Sequence, residues 1–465
     1  MFNRILGYTR GRMKKKVLIC NLGGTIGMVE GDDGALRPPE TDAEFKKAVE
    51  GITSLKQFED VEFEFVTLST KDSTDLCPEE WEEFISYINK RQKDFDCIVC
   101  PHGTDTMAYT ASAVSFGFYS PETNGSALFT PIVFTGAQKP ISEPGGDGER
   151  NIISAIQTGL EADKKNITDV LISFGDNIIQ AVKAYKTSDS AFNAFDSVDG
   201  VHIGKVTALG VTLHNAELAI TSKPTWRKQM AITYNAEQPP PNAKFMLNVN
   251  DGKRKADGYV ARVALDPGVT EKAIEAYIKD KDCLGIVMTA LGAGNIPDSL
   301  MPCIERAITK YHVPIFAVSP FIGGEVHADM YESAAAASKA GVSFLRDQSG
   351  ATAWVKAHWI LSNGLGMDST DFILNMQRVF RGEGSVSESK EVLPSIHEIT
   401  AEDPRDNFRK RVLRNRTAIE GYRRAKGLSC RFIHPMGKKK LALPAADSST
   451  VTERKKKQST RALER

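Results

Sequence analysis

The stretch Lys15 to Val29, KKVLICNLGGTIGMV, decides how the rest of the chain is read. Val17 to Leu22 is a continuous apolar run, not an alternating one, and it stops at Gly23-Gly24. That is the pattern of a central parallel strand covered on both faces. Ligands in such sheets bind beyond the carboxyl ends of the strands. The two glycines let the backbone turn sharply and let a small molecule approach main-chain N–H groups. Thr25 follows with a hydroxyl that can act as a nucleophile. Alone, a GGT also reads as a tight turn with a capping hydroxyl, so its meaning rests on its companions.

Working outward, the same unit recurs. Glu30 to Glu40, EGDDGALRPPE, reads as a polar loop placed as a lid over Thr25. Val61 to Leu68 alternates as a strand and delivers STKDSTDL, Ser69 to Leu76. A helix begins at Pro78 with two glutamates in its first turn and Trp81, Phe84, Ile85 and Ile88 on one face. Ser73, Thr74 and Asp75 therefore fall in a strand-to-helix loop. Phe95 to Cys100 is the next strand, PHGTDT its terminal loop and Met107 to Tyr119 a packed helix. Pro131 to Phe134 leads through TGAQKPISEPGGDGERN into a helix beginning near Asn151, and Val170 to Phe174 leads into a loop carrying Lys183 and Lys186. This repetition predicts a right-handed doubly wound sheet with its loops collected along one edge. It brings Thr25, Ser73, Thr104, Asp105 and Lys186 from separate segments to one crevice.

Val201 to His214 reads as a β-hairpin, and Pro239 to Pro241 mark a linker. A second α/β unit starts near Tyr259, with strands in VARVAL, GIVMTAL and VPIFAVS and helices over Glu271 to Ile278, Leu300 to Tyr311 and Ala351 to Leu361. Trp354 and Trp359 are expected in the core. The fold expected is α/β, with two doubly wound α/β domains. A basic extension (1–14) precedes a larger N-terminal catalytic domain (15–221), a linker (222–256), a smaller C-terminal domain (257–382) and a basic extension (383–465).

A chain of 465 residues with 41% hydrophobic and 25% charged content is ordinary for a soluble globular protein. No apolar run is long enough to span a bilayer, so no membrane partner is expected. The N-terminus, MFNRILGYTRGRMKKK, lacks the apolar core of a secretory signal; its arginines and lack of acids leave a mitochondrial presequence as the minor alternative to a cytoplasmic location. Seven scattered cysteines argue for a reducing compartment. Cys97 and Cys100 form a CxxC inside an apolar strand with no second pair, which reads as buried thiols and not as a zinc site. The eight histidines show no HExxH spacing, and neither a metal nor a cofactor is expected. From Arg405 onward 19 Lys or Arg face 5 Asp or Glu, a net +14 in a chain whose formal total is zero. This composition favours a solvated, disordered end over a nucleic-acid partner, and the aromatic interleaving of a single-strand platform is missing.

With GGTIG, DSTDL, HGTDTM, TGAQ and the run KTSDSAFNAF from Lys186 in view, the chain resembles the bacterial-type L-asparaginases, in particular their cytosolic branch, over Lys15 to Gly382. The resemblance implies hydrolysis of L-asparagine to L-aspartate and ammonia, with L-glutamine as the competing substrate. Thr25 matches the family's nucleophile, which forms a β-aspartyl ester that water then cleaves. Thr104, Asp105 and Lys186 match a second cluster that assists proton transfer. A lysine takes a proton only when neutral, and a neighbouring carboxylate favours the charged amine, so base and electrostatic anchor both stand for Lys186. Ser73 and Asp105 match positions that hold the substrate's α-carboxylate and α-ammonium, with Thr74 beside Ser73. Asn295 in GAGN and Glu325 in GGEVHADMY match residues that reach the site of a neighbouring subunit, which implies a homodimer or homotetramer. Many members carry a tyrosine in the lid, where this chain has Gly34-Ala35-Leu36; the resemblance then suggests Tyr331 as a substitute phenol.

Three rival readings accompany this one. The amidase subunit of a tRNA-dependent amidotransferase has a similar core, but it needs a further RNA-facing or partner-facing domain. A catalytically inactive amino-acid-binding module would not require the full set of matched catalytic residues. A nucleotide-binding Rossmann protein would carry GxGxxG after the first strand, and this chain does not.

Overall fold

β1 (Lys15–Asn21) lies inside the larger sheet because both of its faces are apolar. Val17 and Ile19 pack to one side, Leu18 and Cys20 to the other, and all four are fully buried. The computed structural model describes residues 14–31, 36–120, 126–221, 243–245, 258–328, 331–366 and 369–385. Nearly all of the two basic extensions, apart from residues 14 and 383–385, and most of the expected linker lie outside the described residues.

After β1 come β2 (Val29–Glu30), β3 (Leu36–Arg37), α1 (Asp42–Glu50), β4 (Val61–Thr67), α2 (Pro78–Arg91), β5 (Cys97–Pro101), α3 (Met107–Gly117), β6 (Ile132–Thr135), α4 (Gly148–Lys164) and β7 (Val170–Phe174). Five short strands complete this half: β8 (Asn177–Gln180), β9 (Ala184–Lys186), β10 (Phe195–Ser197), β11 (Gly204–Thr207) and β12 (Gly210–Thr212). Eight of the strands form one sheet in the order β12-β11-β8-β7-β6-β5-β1-β4. β4, β1, β5, β6 and β7 are parallel, and β8, β11 and β12 continue antiparallel. The chain steps from β1 to β4 on one side and to β5 on the other, so the switch point that opens a ligand crevice lies beside β1.

Two expectations are corrected. The lid begins and ends in paired strands, with Val29 opposite Arg37 and Glu30 opposite Leu36, and Arg37 is held by Glu44 of α1 at 3.0 Å. Lys186 is not in a loop: β8 follows β7 at once, and Lys186 ends β9, opposite Phe195 of β10 in a two-stranded ribbon. That ribbon is too short for its period to be read from sequence. The expected hairpin is β11–β12. Cys97 and Cys100 are fully buried, as their apolar surroundings required.

The smaller sheet is parallel in the order β13 (Tyr259–Ala264), β14 (Cys283–Thr289), β15 (Ile315–Val318), β16 (Ser343–Phe344). One of its faces packs on α5 (Glu271–Lys279), α6 (Met301–Thr309) and α7 (Glu332–Lys339). α8 (Gly350–Ser362) and α9 (Ser369–Gln377) belong to a core that continues into α2 and α3 of the N-terminal domain. Trp359 stacks on Phe116 at 5.3 Å, and Trp354 stands edge-on to Tyr109 at 6.0 Å and to Trp81 at 6.3 Å. Such pairs add about 0.5–1.5 kcal/mol each beyond their buried area.

Past α9 the chain turns into this junction. Arg381 meets Asp169 at 3.2 Å and Glu383 meets Lys356 at 2.7 Å, with all four side chains almost wholly buried. Lys356 also donates to the carbonyls of Met376 and Arg378. No helix among the described residues is long and apolar enough to cross a membrane.

Candidate active site

The turns after β1 and β5 meet backbone to backbone, at Gly24 and Gly103. Gly23 and Gly24 take φ of 89° and 85°, the left-handed region that favours glycine. A Cβ on Gly24 would lie 2.2 Å from the backbone of Gly103, and one on Gly103 would lie 2.6 Å from the Ser73 side chain. Glycine at both positions is what permits this approach. Thr25 and Thr104 each follow one of the two touching glycines, and Ser73, whose side chain packs against Gly103, is buried.

Thr25 opens a single 3-10 turn, Thr25–Gly27, and is partly exposed. Beneath it Asn21, fully buried, accepts from the Gly23 N–H at 3.2 Å. Thr106 donates its hydroxyl to the Ser73 carbonyl at 2.7 Å and joins the β4 and β5 loops. Neither Asn21 nor Thr106 was among the sequence-derived candidates; a polar residue ending an apolar strand is the only signal that marks Asn21. Thr74 is exposed, and both its N–H and its hydroxyl donate to Asp72 Oδ1 at 2.9 and 2.8 Å.

The Lys186 ammonium donates to Thr104 Oγ1 at 2.8 Å and to Asp105 Oδ1 at 2.6 Å. Lys186 keeps about 20% of its side-chain surface exposed and Asp105 about 60%, so the trio opens outward. α3 begins immediately after it, and its N-terminal end contributes a partial positive charge of about half a unit toward an anionic group. His102 lies behind, fully buried, with Nδ1 donating to the Gly103 carbonyl at 2.7 Å; burial lowers its pKa to about 4, so it is neutral near pH 7.

Asn295, Glu325 and Tyr331 form a separate group on the C-terminal domain. Ser333 donates to Asn295 at 2.8 Å, and Arg346 donates to Glu325 at 3.2 Å. His327 N–H to the Ala293 carbonyl, at 3.0 Å, ties the two loops together. Tyr331 is half exposed at the start of α7. Among the described residues, none of these three side chains hydrogen-bonds to the Thr25, Thr104 and Lys186 group. Groups of three or more His, Cys, Asp or Glu able to hold a metal ion are absent among the described residues.

Known proteins match both halves of the chain. Residues 16–219 fit the family description "Asparaginase, N-terminal", and residues 259–372 fit "Glutaminase/Asparaginase C-terminal domain". A glutamyl-tRNA(Gln) amidotransferase subunit of Pyrococcus abyssi is 30% identical over 357 residues, covering 75% of this chain and 72% of that protein. L-asparaginase of Thermococcus kodakarensis is 25% identical over 371 residues, covering 79% of this chain and 98% of that protein. The solved structure of the thermostable L-asparaginase from Thermococcus kodakarensis superposes with TM-score 0.64 at 25% identity, over 80% of this chain and all of that one. L-asparaginase I from Vibrio cholerae gives TM-score 0.61 at 23% identity, over 80% and 99%, a likeness of fold.

Proposed function

Because this chain belongs to the asparaginase family, we propose that it hydrolyses the side-chain amide of L-asparagine to L-aspartate and ammonia. The observation that carries this reading is the Lys186–Thr104–Asp105 trio, with the glycines that precede Thr25 and Thr104 in backbone contact.

Thr25 Oγ attacks the amide carbon and a tetrahedral oxyanion forms. Backbone N–H groups near Thr104 stabilise that charge, and each such donor is worth about 3–4 kcal/mol in hydrolases where one has been removed. Thr104 accepts from the Lys186 ammonium, so its own proton points elsewhere and goes to the departing amine, while its second lone pair takes the proton that Thr25 gives up on attack, which restores the Thr104 hydroxyl. Lys186, held by Asp105, acts as the electrostatic anchor of that donor. Ammonia leaves, a β-aspartyl ester on Thr25 remains, and water cleaves it by the reverse sequence of proton transfers. Ser73 takes the α-carboxylate and Asp105 the α-ammonium, with Thr74 shaping the turn beside them. Asn295 and Glu325, and Tyr331 in place of a lid tyrosine, reach the site of a neighbouring copy, so the working enzyme is at least a homodimer. The chemistry needs no cofactor.

A second reading is the amidase part of a tRNA-dependent amidotransferase, favoured by the 30% identity to the Pyrococcus abyssi amidotransferase subunit. That match covers 72% of the relative, whereas the Thermococcus kodakarensis L-asparaginase is matched over 98% of its length. Ammonia release from asparagine and glutamine by the purified chain, without tRNA or partner, tests the two. Turnover of asparagine supports the first reading, and release only when tRNA and a partner protein are supplied supports the second. Stoichiometric binding without turnover would mark an inactive amino-acid-binding module.

A further inference from the structure

Lys186 ends a short ribbon that Asn177 of β8 ties to the main sheet by donating to the Phe195 carbonyl at 2.8 Å, and the turn leading into that ribbon has a holder of its own. The holder is a set of buried hydroxyls that crosses from the C-terminal domain. Thr352 Oγ1, on the first turn of α8, donates to the Val182 carbonyl at 2.8 Å. Ser112 Oγ, on α3, donates to the Ala181 carbonyl at 3.2 Å and lies 3.1 Å from Thr352 Oγ1. Both acceptors belong to the single 3-10 turn Ala181–Lys183 that runs directly into β9 and Lys186.

The direction of the bonds is fixed by counting protons. The Thr352 N–H donates to Ser349 Oγ, the α8 N-cap. Ser349 then spends its only hydroxyl proton on Thr352 Oγ1 at 3.0 Å. Thr352 accordingly has one proton left, and it goes to Val182. Ser112, Ser349 and Thr352 are all buried, so water does not substitute for a lost partner without entering the core. The helix that bears Ser112 is the one whose amino end follows Thr104 and Asp105. The same hydroxyl set thus fixes both sides of the Lys186 contacts.

We propose that Thr352 is a positioning residue for Lys186: its hydroxyl, supplied by the C-terminal domain, holds the 3-10 turn that presents the lysine to Thr104 and Asp105. The proposal deepens the hydrolase reading and rests on it for its kinetic consequence, but the lysine's environment can be measured without any turnover.

The test is competitive labelling of the full chain with acetic anhydride across a pH series, read by peptide mass spectrometry at Lys186 and at the exposed Lys164. Thr352→Val keeps the volume and removes the hydroxyl; Thr352→Ser restores it. In Thr352→Val, Lys186 is expected to label about fivefold faster than in the parent, the factor associated with one neutral hydrogen bond, while Lys164 is unchanged. Thr352→Ser is expected to return Lys186 to the parent rate. With asparagine, kcat should fall by about the same factor in Thr352→Val at nearly constant KM. Unchanged Lys186 labelling in a folded Thr352→Val overturns the proposal, and so does equal disturbance in the valine and serine variants, which would mean packing and not the hydroxyl matters. Should Thr352→Val not fold, Ser112→Ala takes its place with the same readout. Absence of turnover in the parent chain refutes the hydrolase reading alone, since the labelling result still judges Thr352.

Discussion

The Lys186 ammonium lies 2.8 Å from the Thr104 hydroxyl, although 82 positions separate the two residues. One belongs to a side ribbon and the other to the β5 turn. Their meeting depends on the crossing of the β7–β8 return and on support from both domains.

Thr25→Ala and Thr104→Val are each expected to lower turnover of asparagine by about a thousandfold or more, the usual consequence of losing a nucleophile or its proton partner. Far-ultraviolet circular dichroism and the urea midpoint should stay near those of the parent. Activity close to the parent in either variant removes that residue from the mechanism.

If Asn295 serves the site of a neighbouring copy, two dead variants should rescue each other. Thr25→Ala and Asn295→Ala, refolded together in equal amounts, form mixed pairs in which one of two sites has both residues intact. Random pairing then restores about a quarter of the parent activity. A mixture as inactive as its components would place Thr25 and Asn295 in the same protomer's site.

Stability should depend on two histidines as the medium is acidified. His102 and His358 are fully buried, and burial lowers each pKa from 6.5 to about 4. A depressed folded-state value means that the unfolded chain binds the proton first. The stabilisation is complete above pH 6.5, declines as pH falls toward 4 and is lost below it, by up to about 3 kcal/mol per histidine. Urea midpoints measured from pH 7.5 to 4.5 should fall less steeply in His358→Leu than in the parent. Parallel curves would rule His358 out as a source of the decline.

Glu383→Gln leaves the Lys356 ammonium buried with carbonyl partners but no counter-charge, and is expected to cost about 3–5 kcal/mol. The double variant Lys356→Met with Glu383→Leu should recover most of that loss, because no buried charge then lacks a partner. A double variant as unstable as the sum of the singles would show that the two side chains do not act as a pair, and denaturant titration separates the cases.

How much of the fold is legible in the sequence varies with the size and burial of each element. β1, β5 and β7 are legible because two covered faces leave an unbroken apolar run, and the GGT and HGTDT turns are marked by glycines that no other residue can replace. β8, β9 and β10 are three or four residues long, too short for a period, and the sequence alone therefore puts Lys186 in a loop. The run Arg381 to Ser385, R-G-E-G-S, has the composition of an exposed tail. Its two charged side chains, Arg381 and Glu383, are buried because each finds an opposite charge contributed by a distant segment, a pairing that local composition does not carry. The hydroxyls of Ser112 and Thr352 look like ordinary small residues on apolar helices, and only their juxtaposition gives them meaning.

The interior shared by α3 and α8, with Phe116 stacked on Trp359, has a consequence for cleavage. Peptide-bond scission between residues 221 and 258 would leave two fragments that still own halves of one apolar interior and so remain associated after nicking. Such a clipped protein would migrate as two bands in denaturing gels yet elute as one species under native conditions.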